Sequence, residues 1–485
     1  MRTRRTSAWG AWLLAAVLAA SGPSGAADLQ AGQPDPADDR VPLGDTGMSA
    51  EELKDFNGQS LDEKRRRLDV ILAGHPTAIG ARFLRLQADD QLADFPAMLA
   101  DSEPLLADST FDRRLREIAL VIRAGALIQV RRPAEAIVAA SEALDIDPTD
   151  SDALFDRGWA RYHADHGQVA AALADLDRAL QLDPTQGIGY FRRATIYQEQ
   201  RQYDRAEKDF DRALQFAPDD VPTHLQYGQM LIEVHEFERA RAQFDAVVRL
   251  APDYSAGWNW RAGAEVSLGQ LDQAFADANR AIETSVSKAS IADGHSTLAD
   301  VLEHKHDIAG AISEYKRALA IDPDFLIAVR LARLQRDDGP FAQLVDAYRE
   351  RAVEPGASPY ASLRLFVVRM RARPADEAAA GAELARLVPA HAPHAWVDTL
   401  VTLMQGQSTL EAALAEADAA PTDRLRKGQR CEADYYSAEL RLARGQDGAA
   451  GHLLEEAAAV CPATYDEADA VDVEQRQLAA KVAAH

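Results

Sequence analysis

Twelve histidines, two cysteines and 77 acidic side chains give this 485-residue chain ample material for catalysis or metal binding, so their spacing decides. His235-Glu236 opens like the His-Glu-x-x-His zinc motif, but the residue four positions after His235 is Arg239, so the second ligand is missing. The close pairs His163 and His166, His304 and His306, and His391 and His394 lack carboxylates or thiols at ligand spacing. They read as surface histidines at helix ends and turns. There is no Gly-x-x-x-x-Gly-Lys-Ser/Thr phosphate loop, no Gly-x-Gly-x-x-Gly after a strand and no Gly-x-Ser-x-Gly elbow. Cys431 and Cys461, thirty positions apart, carry no nucleophile signature. The expectation is a chain with no catalytic residue, no metal ligand set and no cofactor.

The elements that would position any site are helical. Ala is abundant, Leu common, and Val, Ile and aromatic residues sparse, which favours helix over sheet. A chain this long either divides into domains or builds a core that grows lengthwise, as repeat proteins do. Internal repetition favours the second. Pro148, Pro184, Pro218 and Pro252 are spaced 36, 34 and 34 apart, and Pro323 closes a similar run. Twelve positions before each proline stands a small residue: Ala136, Ala172, Ala206, Ala240 and Ala311. Eight before stand Ala140, Leu176, Phe210, Phe244 and Tyr315, and five before stand Ala143, Ala179, Ala213, Val247 and Ala318. This is the pattern of two amphipathic helices joined by a tight turn. Small residues let the pair approach, large ones fill the gap to the next pair, and proline ends the second helix. One such hairpin cannot bury its apolar face alone, so neighbours must stack.

The period and pattern resemble the tetratricopeptide repeat, with an aromatic or Leu at position 4, Gly or Ala at 8, Ala at 20 and 27, an aromatic at 24 and Pro at 32. In 187–220 these are Tyr190, Ala194, Ala206, Ala213, Phe210 and Pro218. In 221–254 the matches are Gly228, Ala240, Phe244 and Pro252, with His224 departing at position 4; in 255–291 they are Trp258, Ala262, Ala274 and Ala281, without the proline. Further units are 117–150, 151–186 and 292–325; extra residues fall around 163–168 and 285–290. The signature fades over 326–430, broken at Gly339-Pro340, Pro355-Gly356, Pro374 and Pro389, and returns at 431–464 with Ala438, Gly445, Ala450, Leu454 and Pro462. The resemblance implies an all-α fold, an α-solenoid in which stacked hairpins form a right-handed superhelix. The expected organisation is a helical region at 49–116, a repeat array at 117–325, divergent hairpins at 326–430, a last repeat at 431–464 and a capping helix at 465–485. Ser60 and Glu63 have the spacing of a capping box at the start of the helical region.

In this family the first helix of each repeat lines a groove through positions 2, 5, 9, 12 and 13. Here those positions include Asp152, Phe155, Trp159, Tyr162 and His163, then Ile188, Phe191, Thr195, Gln198 and Glu199. Further along come Leu225, Gln229 and Glu233, then Asn259 and Ser267, then Asp300 and Glu303. Phe155, Trp159 and Tyr162 share one helix face. The resemblance implies partner binding by Phe155, Trp159, Tyr162, Phe191, Gln198, Gln229 and Asn259. The alternative is that the aromatics only hold neighbouring repeats together. The Lys and Asn at positions 5 and 9 with which some family members clamp a terminal carboxylate are absent. The groove runs from aromatic to acidic, so the partners expected are proteins or peptide segments, basic ones being favoured by the acidic end.

The termini and the charge bear on location. Arg2, Arg4 and Arg5, the apolar run 11–20 and small residues before Ala27 have the order of a secretory signal over 1–27. The apolar residues that should follow a twin arginine are missing, so general secretion is favoured over the twin-arginine route. The run is too short for a permanent anchor, and Ser21 stands where a lipoprotein signal needs Cys. Residues 28–48, rich in Pro, Gly and Asp, read as a flexible linker. Loss of the three signal arginines would take the net charge from −24 to −27, which repels nucleic acid. An exported, periplasmic protein without a stable membrane anchor is expected. In an oxidising compartment Cys431 and Cys461 are expected to pair, since the start of one helix and the end of its antiparallel partner lie at the same end of a hairpin. The function expected is an interaction scaffold of envelope maintenance or assembly. The alternative is an enzyme or accessory for envelope polysaccharide with its site in 326–430.

Overall fold

The computed structural model describes residues 58–164, 168–335, 339–354, 359–388, 396–421, 423–461 and 466–483, with a few positions between 46 and 56. The expected signal over 1–27, most of the expected linker, and His166, Gly167, Pro355, Gly356, Pro389, His391, His394 and Pro462 lie outside them. Two compact units divide the chain, residues 1–196 and 197–485.

The first unit is built of α1 (Leu61–Gly74), α2 (Ile79–Leu92), α3 (Phe95–Ala107), α4 (Arg113–Gln129), α5 (Pro133–Ile146), α6 (Ser151–Ala164), α7 (Val169–Leu182) and most of α8 (Gly187–Glu199). The second continues with α9 (Tyr203–Phe216), α10 (Val221–Glu233), α11 (Phe237–Leu250), α12 (Ser255–Ser267), α13 (Leu271–Thr284), α14 (Lys288–His304) and α15 (Ile308–Ile321). Next are α16 (Phe325–Gln335), α17 (Gly339–Val353), α18 (Pro359–Ala372), α19 (Glu377–Leu387), α20 (Trp396–Met404), α21 (Leu410–Asp418), α22 (Asp423–Ala443), α23 (Asp447–Val460) and α24 (Asp466–Ala483). The described residues contain no strand. Within each unit helices pair with their sequence neighbours and pairs stack on pairs, for example α4 with α5, α5 with α6, α12 with α13 and α13 with α14. The fold is an all-α solenoid of stacked hairpins.

The periodic residues are the ones that close the hairpins. Ala136, Ala172, Ala206, Ala240, Ala274 and Ala311 are wholly buried, as are Leu176, Phe210, Phe244 and Tyr315. Gly228 shows why a small residue is needed at the crossing of α10 and α11: a Cβ there would lie 2.4 Å from the Phe244 ring. Each regular hairpin turn contains one residue with left-handed backbone: Arg131, Arg201, His235, Gly269, His306 and Gly445. The following N–H then bonds back five residues, as Glu236 does to the Leu231 carbonyl at 2.9 Å and Asp307 to Leu302 at 2.9 Å. His235 and His306 are therefore turn residues in the positions that glycine occupies elsewhere.

Helix starts depart from the expected repeat phase where a cap overrides it. Ser60 and Glu63 form the reciprocal capping box at the head of α1. Asp112 accepts from the Arg114 and Leu115 amides and starts α4 early. Ser287 and Ser290 cap α14, so the extra residues near 285–290 mostly lengthen that helix at its N-terminus. Helix α22 begins at Asp423, which places Cys431 inside a helix rather than at its start. Arg201, in the turn after α8, donates to the Cys461 carbonyl at 3.3 Å, bringing the end of α23 back to the first hairpin of the second unit.

Candidate interaction faces

In the first unit the aromatic positions of α6 and α8 separate into core and surface. Phe155 and Tyr162 are 2 % exposed. The Phe155 ring occupies the notch left by Gly189 on α8, where a Cβ would fall 2.1 Å from it. Neither ring presents surface to a partner, which corrects the expectation for these two residues. Helix α8 approaches so closely at Gly189 that position 5 of the preceding repeat becomes core. Trp159 remains half-buried. Its ring stacks on Tyr162 at 5.2 Å, meets the His163 edge at 4.5 Å and receives the Arg192 guanidinium at 5.7 Å. Arg192 is itself held by a buried ion pair to Asp156 at 3.0 Å. Phe191 is half-buried one turn away from Thr195, whose hydroxyl donates to the Phe191 carbonyl at 3.0 Å. This face thus offers a held tryptophan on α6 and a half-buried phenylalanine on α8, while the Arg192 cation that holds the tryptophan is itself buried.

In the second unit the polar groove positions are largely committed to one another. Gln198 is buried; its amide donates to Glu233 Oε1 at 2.6 Å and its carbonyl accepts from Gln226 at 3.0 Å. Tyr203 also donates to Glu233, at 3.1 Å. Gln198 is therefore an internal bracket, not an open contact. Gln229 and Asn259 are half-buried, and Asn259 Oδ1 is enclosed without a hydrogen bond among the described residues. Asp300 and Glu303, the acidic end of the expected groove, face arginines of the next first helix. Arg330 lies 3.0 Å from Asp300, and Arg333 lies 2.5 Å from Glu303. Tyr315 donates a further hydrogen bond to Asp300. The repeats zip their own acids to their own bases, which removes the motive for a basic partner at that end.

Sequence reading passed over the junction of α16, α18, α22 and α24. Arg371 of α18 reaches Glu439 of α22 at 2.9 Å and Glu474 of α24 at 2.8 Å, with all three side chains buried. Arg364, two turns earlier on α18, lies 3.8 Å from Glu467, two turns earlier on α24. Burial, reinforced by Glu474, pushes the Glu439 carboxyl up to about 8. Glu432, which accepts from Trp396 at 2.6 Å and Tyr360 at 2.9 Å, is raised to about 7 by burial and then by Glu467. The seven-residue spacing of Arg364 and Arg371, and of Glu467 and Glu474, was the available signal. Nearby, Cys431 and Cys461 are buried, with their sulfurs 1.90 Å and Cα atoms 4.8 Å apart. Among the described residues no three His, Cys, Asp or Glu side chains converge as a metal site, and no helix is long and apolar enough to cross a membrane.

Comparison with known proteins agrees with the repeat geometry. Residues 188–220 and 228–290 match two tetratricopeptide-repeat families. No curated protein sequence matches the chain. Among solved structures, the chain is similar to YrrB, described as a TPR protein with an unusual peptide-binding site, at 19 % identity and TM-score 0.34, over 40 % of this chain and 96 % of that one. It is similar to a tetratricopeptide-repeat protein from Parabacteroides merdae at 16 % identity and TM-score 0.37, over 57 % and 99 %. It is also similar to pilF of Pseudomonas aeruginosa at 20 % identity and TM-score 0.34, over 42 % and 93 %. With its stacked hairpins, buried small-residue ladder and left-handed turns, the chain carries tetratricopeptide repeats over residues 188–220 and 228–290.

Proposed function

We propose that this scaffold is exported and holds partner proteins of the cell envelope by a peptide segment laid against α6 and α8. The chain's role as a protein-interaction scaffold follows from its repeats. The observation that carries the finer reading is Trp159: a large aromatic left half-buried on a first helix, with its ring fixed by Tyr162, His163 and Arg192. A fixed aromatic loses little entropy when a ligand covers it, which is where binding energy concentrates. Phe191 would extend the strip, and the exposed His163 would give it a polar edge. Gln229 and Asn259 would serve a second contact area on α10 and α12. Export is supported by the order of charge, apolar run and small residues in 1–27, and by two cysteines poised to pair in an oxidising compartment.

The test is recovery of the native chain from the envelope fraction, with mass spectrometry of what co-purifies and sequencing of its N-terminus. A stoichiometric protein partner and a start at Ala27 or Asp28 are expected. An intact Met1 on cytoplasmic chain would sink the export reading, and a bound saccharide without protein would sink the scaffold reading.

A further inference from the structure

The second unit meets its own end at Arg201. In a stack of hairpins each pair contacts its neighbours, and α23 packs on α22 and α24. Yet the Arg201 guanidinium, in the turn between α8 and α9, donates to the Cys461 carbonyl at the end of α23, 260 residues away in sequence, at 3.3 Å. The acceptor suits a cation. Cys461 is the C-cap residue of α23, whose last turn contains no basic side chain of its own. The closing carbonyls of a helix lack partners within it and carry partial negative charge, so a guanidinium placed there is favoured.

Both ends of this bond are fixed from behind. Cys461 is buried, and its sulfur lies against that of Cys431 in α22 with the Cα atoms 4.8 Å apart. Its amide bonds to the Ala457 carbonyl at 2.8 Å. On the other side Arg201 has left-handed backbone, and the amides of Arg201 and Gln202 bond back to the Gln198 and Tyr197 carbonyls, each at 2.8 Å. The side chains of Gln198 and Tyr203, which flank the turn, both hold Glu233 of α10, at 2.6 and 3.1 Å. A donor and an acceptor that are each already ordered lose little entropy on meeting.

We infer that this contact is a closure set by the cysteine pair. The Cys431–Cys461 bond holds the end of α23 where Arg201 reaches it, and Arg201 ties that end to the head of the second unit. Helices α10, α12 and α14 lie in the chain between the two tied points. They are held at one curvature when the cysteines are paired and released from it when they are not. The closure does not involve the face around Trp159, so either assignment can fail alone. It depends on the pairing of the cysteines, which thiol counting checks separately.

The test is hydrogen exchange on the full, oxidised chain, with each variant read at the end it does not alter. Arg201→Gln changes an exposed side chain and is expected to speed exchange in the last turn of α23 about fivefold, the worth of one hydrogen bond, while the middle of α22 is unchanged. Arg201→Lys, which keeps the cation, should recover part of that loss. Cys431→Ala with Cys461→Ala is expected to speed exchange of the Arg201 and Gln202 amides by a similar factor. Adding Arg201→Gln to the cysteine variant should change α23 no further. Unchanged exchange of α23 in Arg201→Gln overturns the inference, and so does a turn that ignores the cysteine variant. Effects on α23 that multiply in the combined variant also overturn it, because the two groups would then act independently.

Discussion

Arg371 and Glu474, 103 residues apart in sequence, meet in an ion pair 2.8 Å long from which solvent is excluded on both sides. The same guanidinium serves Glu439 and lies 4.5 Å from the Phe341 ring centroid. One cation thus holds α18, α22 and α24 together. Its removal leaves two buried carboxyl groups without their cation, so Arg371→Met is expected to destabilise the second unit by about 3–5 kcal/mol above about pH 8, where Glu439 is ionised, and by less at neutral pH. Adding Glu439→Gln and Glu474→Gln should return most of that loss, because no charge is then left uncompensated. Urea denaturation of the three chains at about pH 9 decides it; a loss below about 1 kcal/mol for Arg371→Met there would show that the acids are hydrated without their cation.

The two acids on one arginine also set a pH dependence. Glu439 faces Arg371, Glu474 and Tyr435, and burial raises its carboxyl from 4.5 to about 8. A carboxyl raised in the folded state binds a proton that the unfolded chain has already lost. Stability from this group is therefore complete below about pH 4.5, falls as pH rises, and is fully lost above about pH 8. Glu432, raised to about 7, and Asp434, raised to about 6, act in the same direction over narrower windows. The second unit should lose on the order of a few kcal/mol between pH 5 and 8. Glu439→Gln should flatten the upper part of that slope. A melting temperature that rises across this range in the native chain would contradict the assignment.

Gly228 gives a packing prediction against the repeat pattern itself. The pattern accepts Ala at this position, as in Ala194 and Ala262, and helix propensity favours Ala by about 1 kcal/mol. A Cβ on α10 here would fall 2.4 Å from Phe244 Cε1, and Phe244 is fully buried. Gly228→Ala should therefore be net destabilising, by roughly 1–3 kcal/mol. Gly228→Ala with Phe244→Leu should be less stable than the native chain but more stable than the sum of the single losses. A stabilised Gly228→Ala chain would mean that the Phe244 ring moves aside at no cost.

How much of this was legible in the sequence follows from the kind of interaction involved. The small residues at Ala206 and Ala240 and the terminating prolines recur because every hairpin poses the same close-approach problem, so the all-α repeat fold could be read directly. Surface and core could not be separated on α6, because Phe155, Trp159 and Tyr162 share a face, and the notch at Gly189 that admits the Phe155 ring lies on the next repeat. The acids at Asp300 and Glu303 looked open because their partners, Arg330 and Arg333, lie one repeat later in a stretch where the signature fades. The seven-residue spacings on α18 and α24 were legible, but not that they meet, because the pairs join segments about a hundred residues apart.

In an oxidising compartment the cysteine pair is expected to be a disulfide. Cys431 and Cys461 are buried with Cα atoms 4.8 Å apart, within the range a disulfide spans, and 30 residues apart in sequence. Closing a loop of that size is worth roughly 3–4 kcal/mol in the chain-entropy account. The bond would tie α22 to the end of α23 directly before α24 begins. Thiol titration of the unfolded, unreduced protein should find no reactive thiol; two per chain would refute the bond. Cys431→Ala with Cys461→Ala should lower stability by about the stated amount and loosen α24 before α22 in hydrogen exchange.

Partner binding at Trp159 must be told apart from its packing. Its ring touches Tyr162, His163 and Arg192, so truncation removes intramolecular contacts as well as surface. If the face binds a partner, Trp159→Ala should cost about 2 kcal/mol or more in affinity for the co-purified protein, the lower bound of a hot spot. Phe191→Ala should weaken binding by a smaller amount. Phe155→Ala should instead act on the fold: its ring is buried against Gly189, and its loss leaves a cavity worth about 3–5 kcal/mol of stability. The contrast is the test. Thermal unfolding and affinity measured together on the three variants should place Trp159 and Phe191 on the affinity axis and Phe155 on the stability axis. If Trp159→Ala and Phe191→Ala fold well and bind the partner unchanged, the aromatic strip only joins repeats, and recognition must lie on another face.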